Sequence, residues 1–502
     1  MMWAPLPTIW SFLALGSVIA LGAPTDSEPR IADTDYTSVC KSIEASVSNA
    51  TGVYYSLHPL YNKGNRHWAL SSSQDSACVV EPGNPDDVSK ILQIVANTST
   101  PFGVRSGGHA TNPGFSSTPG VQIALFKFSE VTYHPGPAAA DGSVGTVDIG
   151  TGLVWDSVYA ALEPLGVNVV GGRVTGVGVG GFTLGGGYSW LSNQYGLTID
   201  TVTAFEVVLP NGTITTATET TNPDLFFGLK GGFNNFGIVT KFTLLAFPQG
   251  QVWGGLQTFT SSRLSRINAA TADFAANVTD PKAAIITTYN FLLGQPGVSL
   301  LMFYDGPTPP AGIFERFTSI PHFTSDISTR SFPSLVGASP ANATYGLRGA
   351  FNTVSLKAYS PSLIDQVLNQ SVTWGSDAML KSGAFISYDV ESFLPSMNAR
   401  SKGGAYPHDD FLAPLNLYFA WFGDAFDDWY HSALEESTRV IREQAIAEGQ
   451  DIAGVKQIKY GNYAPATEDL SSLYGPNLER LKVIKAIYDP KNVMALAGGY
   501  RF

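Results

Sequence analysis

Two glycine-rich segments impose the strongest constraint on this chain. Residues 105–109 read Arg-Ser-Gly-Gly-His, and residues 176–187 read Gly-Val-Gly-Val-Gly-Gly-Phe-Thr-Leu-Gly-Gly-Gly. Glycine has no Cβ, so main-chain N–H groups there can approach a pyrophosphate closely and the backbone can adopt positive φ without strain. Two such loops, one of them ending in a histidine, predict a large anionic cofactor held by main-chain groups. A flavin is the cofactor we expect.

Length and composition are those of a globular enzyme. The chain has 502 residues, of which 44% are hydrophobic and 14% are charged. This length favours two substantial domains, and this composition argues against a disordered chain. The net charge of −12 offers no basic surface to nucleic acid or to an anionic membrane, so we expect neither as a partner.

The N-terminal residues indicate the secretory pathway. Residues 10–23 are an apolar run that ends in small residues and is too short to anchor the chain stably in a bilayer. We predict that residues 1–23 are a signal peptide and that the protein is secreted. Because no Lys or Arg precedes the run, an N-terminal core or anchor helix is the alternative. Glycosylation is predicted at the six Asn-X-Ser/Thr sequons: Asn49, Asn97, Asn211, Asn277, Asn342 and Asn369.

The chain has only two cysteines, Cys40 and Cys78. In an oxidising compartment they are expected to form a single disulfide. The alternative is a pair of buried free thiols, because the sequence does not show how far apart the two side chains lie.

The first half of the chain shows a change of pattern. Residues 79–123 follow a strand, helix, strand rhythm. Residues 146–245 consist of strand-like pieces divided by glycine turns, and we predict little regular helix there beyond residues 154–165. The two segments together indicate mixed helix and sheet.

A second pattern begins at about residue 249 and continues to 455. Strand patterns alternate there with amphipathic helices, and the clearest helix is predicted at 424–448. This change marks a second domain. The tail, residues 481–494, is predicted to be a helix ended by Asp-Pro, and its apolar face needs a partner elsewhere in the fold.

The second glycine loop also satisfies a dinucleotide-binding motif. Gly176, Gly178 and Gly181 match G-x-G-x-x-G, and Asp200 follows at a suitable distance. That motif must open a helix, whereas this run leads into glycines 185–187, each of which costs a helix about 1 kcal/mol. We therefore favour a flavin site over a Rossmann fold.

Other catalytic motifs are absent from the sequence. No P-loop, G-x-S-x-G or H-E-x-x-H motif occurs. Six histidines lack the spacing of metal ligands, so no metal is predicted: His58, His67, His134, His322, His408 and His431.

Five segments in order carry a family resemblance. The chain resembles the berberine-bridge-enzyme-like FAD-linked oxidases, which belong to the vanillyl-alcohol-oxidase and p-cresol-methylhydroxylase superfamily. The similar segments cover most of the chain after residue 23: RSGGH at 105–109, VGVGGFTLGGGYSW at 177–190, YGLTID at 195–200, GGFNNFGIVTKF at 231–242, and YGNYA at 460–464 with YDPKNV at 488–493.

The resemblance implies an α+β fold with a two-part FAD-binding domain of the p-cresol-methylhydroxylase type. Its parts would be residues 24–248 and the C-terminal segment 456–502, which supplies a partner for the tail helix. Residues 249–455 would form a substrate domain in which helices cover an antiparallel sheet and the sheet covers the flavin.

The resemblance also assigns the cofactor contacts. It implies that the His109 imidazole bonds covalently to the 8α carbon of FAD, with a loop histidine that caps backbone groups as the alternative. FAD contacts are implied at Arg105, Ser106, Gly107, Gly108, His109, Val174, Val177, Gly178, Gly180, Gly181, Leu184, Gly185, Gly186, Asn235, Gly237, Ile238, Val239 and Asn462.

Two valines in the second glycine loop are informative. Many relatives make a second flavin link through a cysteine four positions before the first glycine of the GVGG run, and Val174 stands there, so we expect a single link. The residue three places later resembles a gate over flavin C4a, and it is Val177. The small valine predicts access for O2; an ordinary core residue is the alternative.

The resemblance points to tyrosines as the catalytic base. Tyr460 and Tyr463 lie in the segment that crosses the flavin face, and either phenol could accept the substrate proton once its pKa is lowered. Four further residues fall on strands that would face the flavin, but alternate residues of a strand point away, so half of them are expected in the core: Tyr388, Asp389, Tyr418 and Trp421.

Together these features predict a secreted, monomeric FAD-dependent oxidase of a small organic or secondary-metabolite substrate, with O2 as the electron acceptor and H2O2 as a product. A carbohydrate oxidase is one alternative. A flavin-binding protein without redox turnover is another. The sequence does not identify the substrate, because the middle domain carries no readable motif.

Overall fold

The computed structural model describes residues 35–292 and 294–502. The predicted signal peptide lies outside these residues. Residues Tyr36–Phe502 form one compact unit, and the boundaries predicted at 248 and 455 stay predictions. In the described part, no helix is long and apolar enough to cross a membrane.

A small sheet leads into the first glycine loop. Its strands lie in the order Gly52–Tyr54, Cys78–Glu81, Val121–Ala124 and Phe102–Arg105, and the last three are parallel. Helix Pro85–Asn97 supplies the crossover; the Asn84 side chain accepts a hydrogen bond from the Asp87 amide at its start. The predicted strand, helix, strand rhythm is confirmed. The RSGGH loop therefore begins where strand Phe102–Arg105 ends.

A disulfide ties the first helix to this sheet. Cys40 on helix Thr37–Ser46 is bonded to Cys78 on strand Cys78–Glu81, with their Cα atoms 6.1 Å apart. Both cysteines are fully buried. The predicted disulfide is confirmed, and the alternative of two free thiols is wrong.

A five-stranded antiparallel sheet follows. Its strands, in spatial order, are Val131–Pro135, Gly145–Gly150, Ile238–Leu245, Val202–Val208 and Ile214–Thr218. A two-stranded ladder joins Phe247–Pro248 to Val167–Asn168. These strands alternate buried and less buried residues, as expected for a sheet with one face on a core.

The prediction of little helix after residue 165 is wrong. Four short helices occur there: Val179–Leu184, Ser192–Tyr195, Thr198–Thr201 and Pro223–Leu229. The GVGVGG run thus does open a helix, but this helix has only six residues and ends at Gly185. Glycine propensity disfavours it, and contacts with the first glycine loop outweigh that cost. The adjacent sheet is antiparallel, so the Rossmann interpretation still fails.

The second half of the chain forms an eight-stranded antiparallel sheet. The strands are Thr324–Ser325, Val252–Thr260, Gln295–Tyr304, Ala283–Leu292, Gly383–Glu391, Ala413–Trp421 and Arg348–Leu356, with Ser328–Arg330 also paired to Val252–Thr260. Helices Leu264–Asn277, Pro361–Ala378 and Asp427–Ala447 pack on it. The remaining α-helices are Pro59–Asn65, Trp155–Leu162, Glu315–Thr318, Phe332–Val336, Leu470–Tyr474 and Leu478–Tyr488.

The two faces of the large sheet differ, as the alternation predicted. Tyr388 points at the helices, where its hydroxyl lies 2.8 Å from Ser437 Oγ. Trp421 stacks on Tyr430 of helix Asp427–Ala447 at 4.2 Å between ring centroids. Asp389, one residue from Tyr388, and Tyr418, three residues from Trp421, lie on the opposite face. That opposite face is the one toward the glycine loops.

The tail helix finds its partner in the first half of the chain. It runs Leu478–Tyr488, beginning three residues earlier than predicted and ending before Asp489 and Pro490. Arg480 pairs with Asp224 at 2.7 Å and lies 3.7 Å from the centroid of the Phe227 ring, so the helix packs on Pro223–Leu229. A further bridge pairs Ala497 with Phe102, the first residue of the strand before RSGGH.

A buried imidazole joins a loop of the second half to the first half. His408 Nε2 lies 2.8 Å from Asp200 Oδ1, and Nδ1 lies 2.8 Å from the Tyr406 carbonyl. Two acceptors can be satisfied together only by the doubly protonated ring. Burial lowers the His408 pKa, but the attraction of Asp200 outweighs it, and the net effect raises the pKa above its usual value despite nearby Lys230.

This contact predicts pH-dependent stability. A raised folded-state pKa gives stability that is complete below about pH 6.5 and is lost as pH rises through the folded-state pKa. We expect His408→Gln to lower the free energy of unfolding by about 2 kcal/mol at pH 5 and by less at pH 9. Denaturant titrations at both pH values, with exposed His134→Gln as the control, measure the difference. A loss that is equal at both pH values would contradict the charged pair.

Candidate functional site

The two glycine loops touch each other through their backbones. A Cβ on Gly107 would lie 2.6 Å from the Gly178 Cα, and a Cβ on Gly178 would collide with the Gly107 amide. Ser106 joins the loops by hydrogen bonds: its Oγ donates to the Thr151 carbonyl at 2.6 Å and accepts from the Gly180 amide at 3.1 Å. Glycine is therefore required at both contact positions by the close approach of the chains.

The first loop keeps donors free for a ligand. In the described part of the chain, the amides of Gly107 and Gly108 donate to no protein acceptor. The Arg105 guanidinium is buried under Gly108 and donates to the Lys63 carbonyl. Burial lowers the Arg105 pKa to about 10. Its side chain thus supports the loop, and the free main-chain amides are the groups that can meet an anion.

An aspartate fixes the start of the second loop. Asp156, on helix Trp155–Leu162, accepts a hydrogen bond from the Gly176 amide at 2.8 Å and another from the Thr175 hydroxyl. The Trp155 amide also donates to the Val177 carbonyl at 3.0 Å. Sequence reasoning missed Asp156. Its position in the first turn of a helix, some twenty residues before the loop, gave no signal.

His109 stands against an aromatic wall. Its ring stacks on Trp68 at 4.3 Å between centroids, and Trp68 stacks in turn on Phe351 at 5.9 Å and contacts Tyr418 at 5.0 Å. Phe351 and Tyr418 belong to the large sheet, so this wall joins the RSGGH loop to the sheet. Sequence reasoning missed Trp68 and Phe351.

The His109 imidazole has a buried nitrogen without a partner. Nε2 is shielded from solvent and has no hydrogen-bonding group in the described part of the chain. Burial lowers the His109 pKa to about 4. The ring is therefore neutral at ordinary pH, and a neutral imidazole nitrogen is the form that can bond to carbon.

Tyr460 lies deep in the joint between the two halves. Its hydroxyl oxygen accepts hydrogen bonds from the Gly187 amide at 3.1 Å and from Asn462 Nδ2 at 2.7 Å. The side chain is 2% exposed, and burial raises its pKa to about 12. Asn462 also approaches Gly185 so closely that a Cβ there would collide with its amide. These contacts connect YGNYA to the end of the second glycine loop.

Tyr463 takes part in a charged network that sequence reasoning missed. Arg173 Nη2 donates to Tyr463 Oη at 2.8 Å, and Tyr463 Oη donates to Glu391 Oε1 at 3.1 Å. Arg173 and Glu391 also form a buried ion pair at 2.8 Å. Burial opposes both charges and raises the Glu391 pKa, whereas Glu391 and the phenol raise the Arg173 pKa. Unlike Tyr460, Tyr463 is only half-buried.

The ring contacts place Tyr463 and His109 in one site. Phe351 lies 5.9 Å from both Trp68 and Tyr463 between ring centroids, and Trp68 holds His109. Tyr460 packs edge-on against Tyr463 at 4.9 Å. The structure therefore joins the histidine, both predicted tyrosines and the Arg173–Glu391 pair in one connected set of side-chain contacts.

Several residues assigned to the cofactor make contacts within the protein. Asn235 Nδ2 donates to the carbonyls of Gly232 and Tyr500, each at 2.9 Å, so its side chain holds the C-terminal segment. Gly237 has φ of 148° and leads into strand Ile238–Leu245, where the side chains of Ile238 and Val239 are buried in the core. Their role toward FAD stays a prediction.

The two informative valines are both half-buried. Val177 packs against the hydrophobic core of the first half, and Val174 directly follows Arg173. No thiol stands at position 174. In the described residues, no group of His, Cys, Asp or Glu could hold a metal.

Comparison with known proteins identifies the family. The FAD binding domain family matches residues 76–218, and the family described as berberine and berberine like matches 459–497. The FAD-dependent monooxygenase drtC of Aspergillus calidoustus is 31% identical, over 96% of this chain and 94% of its own. This chain belongs to the berberine-bridge-enzyme-like FAD-linked oxidoreductases. An uncharacterized FAD-linked oxidoreductase of Arthroderma benhamiae is 40% identical over 72% of each chain.

Solved structures share the fold of this family member. Wild-type BBE-like 1 of Physcomitrella patens has a TM-score of 0.73 at 19% identity and covers 90% of this chain and 97% of its own. Glucooligosaccharide oxidase of Acremonium strictum has a TM-score of 0.70 at 20% identity over 92% and 97%. The predicted α+β fold of the p-cresol-methylhydroxylase type is confirmed.

The residues present fit FAD. The loop contact leaves the amides of Gly107 and Gly108 free for the pyrophosphate, and the orphaned nitrogen of His109 suits attachment to the flavin ring. Asn462 and the phenols of YGNYA supply polar groups on the other side of the same space.

The loop contact yields a direct test. We expect Gly178→Ala to lower the melting temperature by several degrees and to reduce the flavin content, because the added methyl group must push two backbones apart. Gly250→Ala is the control, since this glycine is exposed, lies outside both glycine loops, and a Cβ there meets nothing within 4 Å. Thermal melts and the ratio of flavin to protein absorbance measure both effects. Equal behaviour of the two variants would refute the requirement for close contact.

Proposed function

We propose that this protein is a secreted oxidase that removes hydride from a small organic or secondary-metabolite substrate, with FAD attached only through His109. The observation that carries the proposal is the shared aromatic wall, which links a neutral imidazole and the hydrogen-bonded Tyr463 phenol through one series of ring contacts. FAD held by these residues would supply the hydride acceptor, and O2 would be the final electron acceptor, reduced to H2O2.

Of the two tyrosines, Tyr463 is the better placed to act as the base. The lowered phenol pKa expected from the sequence is wrong for both: burial and the Glu391 charge raise the Tyr463 pKa well above its usual value, and burial raises that of Tyr460 to about 12. The Tyr463 phenol therefore needs a proton acceptor beside it. A base must reach the substrate, and Tyr463 is half-buried whereas Tyr460 is enclosed. As Tyr463 takes the substrate proton, its own proton passes to Glu391 across the 3.1 Å hydrogen bond, and Arg173 stabilises negative charge on the phenol oxygen. Tyr460 and Asn462 then orient the cofactor side of the site.

The proposed relay requires an ionised Glu391. Burial raises the Glu391 pKa, so this carboxylate is protonated at a higher pH than an ordinary glutamate, and the acceptor for the Tyr463 proton is then lost. Substrate oxidation should therefore slow as pH falls through the raised Glu391 pKa.

Secretion is supported by the disulfide and by the sequons. The Asn side chains of all six sequons are exposed, which glycosylation requires.

A carbohydrate oxidase is the second candidate. Several proteins of this fold are named for such substrates, including chitooligosaccharide oxidase, with a TM-score of 0.70. The aromatic wall of Trp68, Phe351 and Tyr418 favours this candidate, because sugar rings stack on aromatic faces. Some relatives are named FAD-dependent monooxygenases. A third candidate is therefore a reaction in which one oxygen atom of O2 enters the product. A screen for H2O2 release and product mass separates the three.

The covalent link is tested by denaturation. Acid-precipitated wild type should stay yellow, because His109 holds the flavin, whereas His109→Ala should give a colourless pellet and free FAD in the supernatant. His134→Ala, an exposed histidine on strand Val131–Pro135, is the control. A yellow pellet from His109→Ala would refute the assignment, and a doubly linked flavin peptide from wild type would refute the single link.

The two tyrosines are separated by anaerobic stopped-flow reduction with a substrate found in the screen. Tyr463→Phe should slow flavin reduction by about 10² to 10⁴, the usual contribution of a general base. Tyr460→Phe should slow it less and should shift the flavin spectrum. A larger loss in Tyr460→Phe would move the role of the base to Tyr460.

The gate at Val177 is tested by reoxidation. Val177→Leu adds one methylene at a packed surface, so we expect slower reaction of the reduced enzyme with O2 and unchanged reduction by substrate. Val483→Leu, on the exposed face of the tail helix, is the control. Equal rates of reoxidation in the two variants would refute a gating role for Val177. Slow reoxidation of wild type would make the protein a dehydrogenase.

A further inference from the structure

A row of polar side chains crosses the large sheet beside the site. Strand register aligns Thr288 with Asp389, Asp389 with Asn416, and Asn416 with Thr353. The Thr353 hydroxyl donates a hydrogen bond to the Leu415 carbonyl at 2.9 Å. The other three lie side by side on the face toward the glycine loops.

Asp389 and Asn416 have hydrogen-bonding capacity left over. Asn416 Nδ2 donates to Asp389 Oδ2 at 3.1 Å, but the buried Oδ1 of Asn416 has no donor in the described part of the chain. Asn416 is 6% exposed, whereas Asp389 is half-buried. An amide oxygen only accepts hydrogen bonds, so the unpaired Asn416 Oδ1 requires a donor, and an ionised Asp389 carboxylate accepts as well. A ligand that fits the pair must bring the donor.

Within residues 35–292 and 294–502, no Lys, Arg or His forms an ion pair with Asp389. Arg173 is committed to Glu391 and to Tyr463. Burial raises the Asp389 pKa to about 7, and the hydrogen bonds from Thr288 and Asn416 and the distant Arg173 offset it only in part. Burying a carboxyl group with so little compensation costs free energy of folding. Carboxyl groups of this kind are concentrated at functional sites.

Asp389 has a defined position relative to the base. It precedes Glu391 by two residues on the same strand, so their Cα atoms lie about 6 to 7 Å apart on one face. Glu391 contacts Tyr463. In the other direction, Asn416 precedes Tyr418 of the aromatic wall by two residues. The Asp389–Asn416 pair thus lies between the base and the wall.

We propose that Asp389 and Asn416 form a substrate subsite that accepts a hydrogen bond from a second donor on the substrate, a hydroxyl or a protonated amine, a few bonds from the carbon that is oxidised. The inference rests on the proposed function, because it takes Tyr463 as the group that meets the reacting carbon. It names the substrate class: molecules with two donors, one oxidised and the other held. Apolar surface on the substrate would pack on Phe351 and Tyr418.

The test compares probes that differ only in the second donor. Benzyl alcohols with a hydroxyl, methoxy or aminomethyl group at position 3 are titrated anaerobically into the flavin-loaded enzyme, and dissociation constants are taken from the flavin absorbance. We expect wild type to bind the hydroxyl and aminomethyl probes more tightly than the methoxy probe. Asp389→Asn, which keeps the shape, should weaken the favoured probes about 10- to 100-fold and leave the methoxy probe unchanged.

Two further variants sharpen the comparison. Asn416→Ser removes the orphaned acceptor and should weaken the same probes. Asp451→Asn makes the same charge change on an exposed residue paired with Lys456 and should change nothing. Melting temperatures show whether each variant is folded.

The pH dependence distinguishes the two donors. Binding of the aminomethyl probe should tighten as pH rises through about 7 in wild type, because Asp389 becomes charged, and this rise should disappear in Asp389→Asn. We expect the affinity of the hydroxyl probe to depend less on pH. Equal binding of all three probes to wild type, binding of none, or equal weakening of all three in Asp389→Asn would overturn the subsite.

Failure of the subsite and failure of the proposed function give different results. A yellow acid precipitate and O2-dependent reoxidation after dithionite reduction report the covalent oxidase without any substrate. If both of these results are obtained but the three probes bind equally well, only the proposed subsite is refuted. A colourless precipitate would refute the covalent link, whatever the probes show.

Discussion

The packing of Gly107 against Gly178 is the contact on which the site depends. Two backbones meet where no side chain fits, and the contact sets the direction of both loops. One loop then carries His109 toward Trp68, and the other runs through the short helix to Gly185, Gly187 and the YGNYA segment. A single steric requirement thereby positions groups from three distant parts of the chain.

Charge is concentrated where the two halves of the chain meet. The Arg173–Glu391 pair and the Asp200–His408 pair each join a residue of the first half to one of the second, and all four are buried. Buried pairs are weak contributors to net stability but costly to separate. They therefore contribute more to how the two halves are oriented than to how strongly they associate.

Sequence patterns predicted the parts of the site that depend on local chemistry. The glycine loops, His109, the two tyrosines and the disulfide could be identified because each belongs to a motif or a pair. Asp156, Trp68 and Glu391 could not, since each acts across a long sequence separation and stands in an ordinary helix, loop or strand. The short helix at Val179–Leu184 was missed because tertiary contacts outweighed glycine propensity. Arg105 shows the converse: its motif was recognised, but its side chain supports the loop.

The bridge between Phe102 and Ala497 has a consequence for folding. The strand that leads into the RSGGH loop pairs there with a residue of the C-terminal segment, far away along the chain. Loop closure over that long segment must come before the pairing, and such long-range contacts form slowly. The edge of the first small sheet is therefore expected to be completed late in folding, after the local helices and hairpins have formed.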